Sequence, residues 1–268
     1  MEIIIVILLM AVLGCVFGLI LGFFSKKFAV KIDKRIEDVI ELLPGSNCGA
    51  CGYAGCAGLA EAIVNEGAEP SLCAPGGEET AEEIAKYMGI TASKKEKQVV
   101  KIFCQGSKEK APLKYEHSGI DDCNEVIMFH GGPKLCEYGC LALLSCQKAC
   151  PFDAIYIKKD GLPVVDKEKC VACKKCIDVC PKNLIALVPK KSKVHILCCS
   201  HDKGAVTNKN CKVGCIACQK CIKECPVDAI YMEDNLAKIN YEKCISCGKC
   251  VKICPKGVIE NEKVKKSI

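Results

Sequence analysis

The segment CKVGCIACQKCIKECPVDAIYMEDNLAKINYEKCISCGKCVKICP, residues 211–255, decides how the rest of the chain is read. Cys215, Cys218 and Cys221 are spaced C-x2-C-x2-C, and Cys225 follows after three intervening residues, just before Pro226. Cys244, Cys247, Cys250 and Cys254-Pro255 repeat that spacing. Three thiolates at every third residue can wrap one face of an iron–sulfur cube, while the cysteine before proline is carried to the neighbouring cluster. The spacing predicts one [4Fe-4S] cluster on Cys215, Cys218, Cys221 and Cys254, and another on Cys244, Cys247, Cys250 and Cys225. Zinc sites usually draw two ligands from each of two separated knuckles, so a doubled motif this dense argues against zinc, and equally against a disulfide framework.

The same module occurs once more upstream. Cys150-Pro151-Phe-Asp-Ala-Ile-Tyr matches Cys225-Pro226-Val-Asp-Ala-Ile-Tyr at an offset of 75, and Cys170, Cys173, Cys176 and Cys180-Pro181 match Cys244 to Pro255 at an offset of 74. Crossed ligation then places Cys170, Cys173, Cys176 and Cys150 on one cluster, and Cys136, Cys140, Cys146 and Cys180 on another. The latter run is irregular, because Cys136, Cys140 and Cys146 are spaced C-x3-C-x5-C. Four further thiols, Cys104, Cys123, Cys198 and Cys211, are grouped as a sixth cluster without any local signature, with Cys199 as the alternative to Cys198.

Nearer the start, PGSNCGACGYAGCAGLAEAIVNEGAEPSLCAPGG carries Cys48, Cys51, Cys56 and Cys73 as C-x2-C-x4-C-x16-C. Glycine in that loop tolerates the φ values a tight wrap demands, and the fourth cysteine returns after a helix expected at about Ala57 to Glu66. Zinc or reactive thiols remain open there. The loop lacks the Gly-Lys-Ser/Thr ending of a phosphate site. A short amphipathic helix is expected from Lys31 to Leu43, and Thr80 with Glu83 suggests a capping box for a helix running to Met88 and ended by Gly89. Val99 to Phe103 reads as a strand that delivers Cys104.

Ile3 to Phe24 is free of charge, and a helix of that length spans a bilayer. Lys26, Lys27, Lys31, Lys34 and Arg35 follow at once, which places the remainder in the cytoplasm. No signal-peptide pattern of a charged start, a short apolar run and a small-residue cleavage site is present. Gly14, Gly18 and Gly22 recur every fourth residue, as at helix–helix contacts, although glycine is also common in membrane helices. Cys15, in the same stretch, reads as a small apolar filler.

The chain has 26 cysteines in 268 residues, no tryptophan and a formal charge of +6. Clusters must replace much of an apolar core. An oxidised cube with four thiolates carries about two negative charges, so six of them bring the balance to about −6 and weaken any nucleic-acid reading. From Ile36 to Ala85 there are ten acidic residues and no Lys or Arg, either a docking face or a solvated surface. His117, His130, His195 and His201 are scattered singly and read as surface or hydrogen-bonding residues. Neither a Gly-x-Gly-x-x-Gly fingerprint nor a Ser-His-Asp arrangement is found, so no catalytic residue is assigned.

The expected fold is α+β, with a single transmembrane helix, a small helical [4Fe-4S] domain and tandem two-cluster ferredoxin-like modules. The expected boundaries are 1–25 for the anchor, 36–90 for the first cluster domain, 98–210 for the first module and 211–268 for the second. With GGPKLCEYGCLALLSCQKACPFDAI and KVGCIACQKCIKECP in that order, the chain resembles the B subunit of the Rnf complex over essentially its whole length, in the extended form with two modules. The resemblance implies a bacterial cytoplasmic-membrane protein that relays electrons from reduced soluble ferredoxin, in a complex coupling ferredoxin:NAD+ oxidoreduction to Na+ or H+ translocation. It also implies partner subunits carrying the flavin and NAD sites. A polyferredoxin of another membrane complex, such as a hydrogenase, would share every motif, and a non-redox metal-binding scaffold is the reading from a different class.

Overall fold

The computed structural model describes residues 2–27, 33–91, 93 and 96–262. Lys31, Lys94 and Lys95 lie outside the described residues. The elements are α+β, as expected. Helix α1 (Glu2–Lys27) is uncharged from Ile3 to Phe24, and its residues 3–27 are exposed within this chain. Gly14, Gly18 and Gly22 have open space around them.

The first cluster domain is three short helices. α2 (Lys34–Leu42) starts at Asp33, whose carboxylate accepts the Arg35 N–H. α3 (Gly55–Glu66) buries Leu59, Ala60 and Ile63 against Val39 of α2, and both helices meet Ile84 of α4 (Gly77–Met88). The capping-box expectation at Thr80 does not hold. α4 begins three residues earlier, with Gly76 at its cap and Glu78 and Glu79 in its first turn, where carboxylates complement the helix dipole. Gly89, at φ 69°, ends it as expected.

Beyond residue 97 the chain is built from short antiparallel strand pairs and single helical turns. β1 (Gln98–Ile102) pairs with β4 (Ile185–Pro189), enclosing the hairpin β2 (Ile155–Ile157) and β3 (Pro163–Val165). β5 (Val194–Ile196) pairs with β8 (Ile259–Asn261), enclosing β6 (Ile230–Glu233) and β7 (Leu236–Ile239). Asp234 and Asn235, both at positive φ, make the two-residue turn that lets β6 and β7 pair without splaying. Since β5 lies upstream of residue 211 yet pairs with β8, we propose that the second module starts near residue 190 rather than at 211.

Each unit has its own small core, and in each of the three the buried aliphatic side chains pack directly on cysteines. The modules are joined by charge. Lys101 on β1 donates to Glu260 at 2.6 Å and Glu262 at 2.8 Å, and Lys167 meets Glu262 at 2.5 Å. His195 on β5 is fully buried beside them, with its Nδ1 2.9 Å from the Tyr241 hydroxyl and its Nε2 3.6 Å from Glu262. Burial, reinforced by the Lys101 charge, pushes His195 down to about 4, so it is neutral at pH 7. Burial raises the Glu262 carboxyl, but the hydrogen bonds and charges of Lys101 and Lys167 outweigh this and hold it below its ordinary value.

A carboxylate held low contributes stability above its unfolded pKa and loses it as pH falls through the folded one. Glu262→Gln takes the carboxylate away from half-buried Lys167, leaving it the Ser192 carbonyl at 3.1 Å, and leaves Lys101 with Glu260 alone, a change expected to cost about 2 kcal/mol at pH 7. Thermal bleaching of the loaded protein should then occur roughly 4–8 °C earlier. The gap between variant and wild type should narrow below about pH 4.5, near the ordinary carboxyl pKa, and a gap that stays constant with pH would assign the effect to packing.

Candidate functional site: six sets of thiols

Four loops share one backbone device. In Cys215-Ile-Ala217-Cys218-Gln219-Lys-Cys221, the residues on either side of the middle cysteine, Ala217 and Gln219, have φ of 55° and 59°. Ala172 and Lys174 flank Cys173 in the same way, and Ser246 and Gly248 flank Cys247. Two left-handed residues around the middle one curl the chain tightly, and a single helical turn (Lys220–Lys223, Lys175–Asp178 or Lys249–Ile253) then presents the third cysteine. After each Cys-Pro, the third residue on from the cysteine also takes positive φ: Asp153, Asn183, Asp228 and Gly257. This turn points the following N–H back at the thiol, with Ala154 donating to Cys150 Sγ at 3.4 Å and Ala229 to Cys225 Sγ at 3.3 Å.

The fourth loop explains the irregular motif. Ala142 and Leu144 take φ of 60° and 65°, so Leu143 occupies the backbone place of the middle cysteine between Cys140 and Cys146. The missing thiol comes from elsewhere. Cys123 lines a cavity with Cys140, Cys146 and Cys180, and Ser145 holds it there by accepting the Cys123 N–H at 2.8 Å while donating to Asp122. Cys136 does not join that group. It lines a different cavity with Cys104, Cys198, Cys199 and Cys211. Relative to the grouping expected from spacing, Cys123 and Cys136 change places, because the fold rather than the local motif brings these thiols together.

Cys215, Cys218, Cys221 and Cys254 line one cavity, and Cys225, Cys244, Cys247 and Cys250 another. Cys170 accepts the Val100 N–H from β1 at 3.4 Å, and Cys176 packs in one core with Cys150 and Cys170, three residues after Cys173. In the first domain, Cys48, Cys51 and Cys56 all act on Cys73. Their loop depends on Gly55 at φ 90°, since a Cβ there would stand 2.7 Å from the Asn47 oxygen that accepts the Cys56 N–H. Cys15 is exposed on α1, away from every set.

The sets form an unbroken series. Cys51 and Cys73 of the first domain line a cleft together with Cys170, and Cys146 shares a core with Cys176. The Cys140 N–H donates to Cys104 Sγ at 3.4 Å and the Cys215 N–H to Cys198 Sγ at 3.3 Å, and Cys221 shares a core with Cys250. The order is therefore the first-domain set, the Cys170 set, the Cys140 set, the bridging set at Cys104 and Cys211, the Cys215 set and the Cys244 set.

Burial pushes the thiols of Cys136, Cys146 and Cys221 up to about 11, and those of Cys140, Cys176, Cys198, Cys199 and Cys250 up to about 12. In walls this dry a thiolate forms only against a compensating cation, which is what iron coordination supplies. Among the described residues, no three Cys, His, Asp or Glu side chains converge tightly enough to share a single ion. The thiols of four of the sets stand apart around a cavity, which suits a cluster better than tetrahedral zinc. His195 and His201 are engaged with Tyr241 and the Asp234 carbonyl, and His117 with the Ile120 carbonyl.

Cysteine-lined cavities in two successive ferredoxin-like modules define a polyferredoxin, an iron–sulfur electron-transfer protein carrying [4Fe-4S] clusters. Residues 43–75 match a family described as a putative Fe-S cluster domain, and residues 135–185 and 214–259 each match the 4Fe-4S dicluster domain. The chain is 44% identical over 88% of its length, and 71% of the relative's, to the B subunit of the Na(+)-translocating ferredoxin:NAD(+) oxidoreductase complex of Acetobacterium woodii. It is 43% identical to the B subunit of the ion-translocating oxidoreductase complex of Methanosarcina acetivorans, covering 88% of this chain and 90% of that one. It is 40% identical to the B subunit of the proton-translocating ferredoxin:NAD(+) oxidoreductase complex of Clostridium ljungdahlii, covering 89% and 84%. The chain belongs to this family, the B subunits of Rnf-type ion-translocating oxidoreductase complexes.

Proposed function

We propose that this chain is the electron-relay arm of an Rnf-type complex, taking electrons from reduced soluble ferredoxin and passing them toward membrane and peripheral partners that carry flavin and NAD sites. The observation that carries this reading is the unbroken series of six thiol sets from the second module to the first domain. Bound there, [4Fe-4S] clusters supply one-electron storage at potentials set by the surrounding protein. The chain itself supplies thiols, N–H donors and dry walls, with no catalytic residue of its own.

Ligation is proposed as Cys48, Cys51, Cys56 and Cys73; Cys150, Cys170, Cys173 and Cys176; Cys123, Cys140, Cys146 and Cys180; Cys104, Cys136, Cys198 and Cys211; Cys215, Cys218, Cys221 and Cys254; and Cys225, Cys244, Cys247 and Cys250. Cys198 is preferred to Cys199 because its sulfur accepts N–H bonds from Ser200 at 3.4 Å and Cys215 at 3.3 Å, the kind of contact that Cys104, Cys150, Cys170 and Cys225 also make.

The second module is proposed as the entry point. Cys218 and Cys247 are exposed there, in a field of exposed lysines that includes Lys212, Lys220, Lys223, Lys243, Lys249 and Lys252. Lys238 belongs less to that field, since Glu233 neutralises it at 2.6 Å. The opposite end lies close to the anchor. Only seven residue steps separate Lys27 at the end of α1 from Lys34 at the start of α2, a reach of at most roughly 25 Å.

Lys26 and Lys27 after the apolar stretch favour a single pass with all six sets in the cytoplasm. Protease added to intact spheroplasts should leave residues beyond 33 uncut, and digestion in sealed cells would reverse the orientation. Detergent extraction should bring the chain out with flavin-containing membrane subunits. Recovery instead with hydrogenase subunits would place the same relay in another complex.

A further inference from the structure

The bridging set has an unusual neighbour. Lys134 is 3% exposed, and its Nζ donates to the Gly106 carbonyl at 2.6 Å. Among the described residues it has no carboxylate within ion-pair reach, although a buried ammonium left alone is costly. Its place is fixed from both ends. The backbone is pinned by a bridge to Leu113 and by the Leu135 N–H donating to the Pro112 carbonyl at 2.9 Å. The stem passes beneath Gly139, where a Cβ would stand 3.4 Å from Lys134 Cδ. Gly106, which receives the ammonium, lies against the bridging thiols: a Cβ there would be 3.5 Å from Cys211 Sγ and 3.7 Å from Cys104 Sγ.

We propose that Lys134 is the built-in counter-charge of the bridging set, and that its ammonium holds the cluster bound there at a higher reduction potential than the thiols and their N–H donors alone would give. A cube with four thiolates carries about two negative charges, and reduction adds a third. A fixed positive charge a few ångströms away in a dry wall favours the reduced form, because Coulomb energies there are several times those in water. Lys134 touches both sides of the junction, its stem against Gly139, next to Cys140, and its ammonium on Gly106, which lies against Cys104 and Cys211. The bridging set is the one place where the relay crosses from one module to the other, so a low potential there would be a barrier in the middle of the series.

This rests on reading the cavity as an iron–sulfur site, which iron analysis of the wild-type chain checks separately. The test compares Lys134→Met, which removes the charge and keeps the stem, with Lys134→Arg, which keeps the charge. Both are purified anaerobically as the full chain and followed by potentiometric titration with EPR detection. With wild-type iron content, Lys134→Met should move one transition to lower potential. At fixed ambient potential its reduced-to-oxidised ratio should fall at least about tenfold, which is about 59 mV for a one-electron couple. Lys134→Arg should leave that transition within a factor of about three. An iron-replete Lys134→Met protein whose titration superimposes on wild type would overturn the proposal. If Lys134→Met loses about four irons, Lys134→Arg decides: retained iron and potential support the counter-charge, and equal loss in both variants overturns it in favour of a purely packing role.

Discussion

Replacing Cys123 with serine is expected to cost one cluster, although no sequence motif contains this residue. The loss should be of up to about four irons per chain. The reason is Leu143, which stands where the middle cysteine of a three-cysteine loop would be and leaves Cys140, Cys146 and Cys180 one thiol short. Two combinations separate this grouping from the one that spacing suggests. Cys123→Ser with Cys146→Ser should lose no more iron than either change alone, since both thiols belong to one set. Cys136→Ser with Cys146→Ser should lose two clusters, because Cys136 lines the bridging cavity. Adding Leu143→Cys to Cys123→Ser should restore iron toward the wild-type value, as the positive-φ pair Ala142 and Leu144 already has the loop in the curled form. The reverse pattern, additive for Cys123 and non-additive for Cys136, would return Cys136 to the Cys140 set.

Reversing the charge of Lys220, Lys223, Lys249 and Lys252 together is expected to slow reduction by an acidic soluble ferredoxin by roughly tenfold or more at low salt. The gap should close as ionic strength rises and the Debye length shrinks to about 10 Å or less. All four side chains are exposed, so iron content and reduction by a small uncharged donor should be unchanged. Part of this lysine field offsets the negative charge of the clusters themselves, and the small donor controls for that contribution. Stopped-flow traces that match wild type at low salt would move docking elsewhere, most naturally to the first cluster domain.

What could be read from the sequence was whatever the chain encodes locally. Cys215 to Pro226 and Cys244 to Pro255 carry their own wrap, turn and proline, so their groupings follow from spacing, and the apolar run from Ile3 and the strand at Val99 are equally local. The Cys140 set is different. Its C-x5-C spacing is the regular motif with leucine in the middle place, a signal present in LALLSC, but the compensating thiol lies 17 residues upstream of Cys140, placed by Ser145 and Asp122. The Lys101, Lys167, His195 and Glu262 junction joins residues up to 161 apart, so no window of sequence displays it. Lys134 looks like one lysine among many, and only the fold shows that it is buried with no carboxylate beside it among the described residues. At α4 a capping box is legible but not used, because the acidic first turn at Glu78 and Glu79 starts the helix upstream of Thr80.

The most direct test of the relay is a stoichiometric reductive titration of the anaerobically purified chain, with a low-potential donor and iron measured on the same sample. Six thiol sets predict about 24 irons and close to about six electrons taken up per chain, one for each [4Fe-4S] cluster. An iron-replete chain that accepts no electrons from such a donor would contradict the account and leave a metal-binding scaffold in its place.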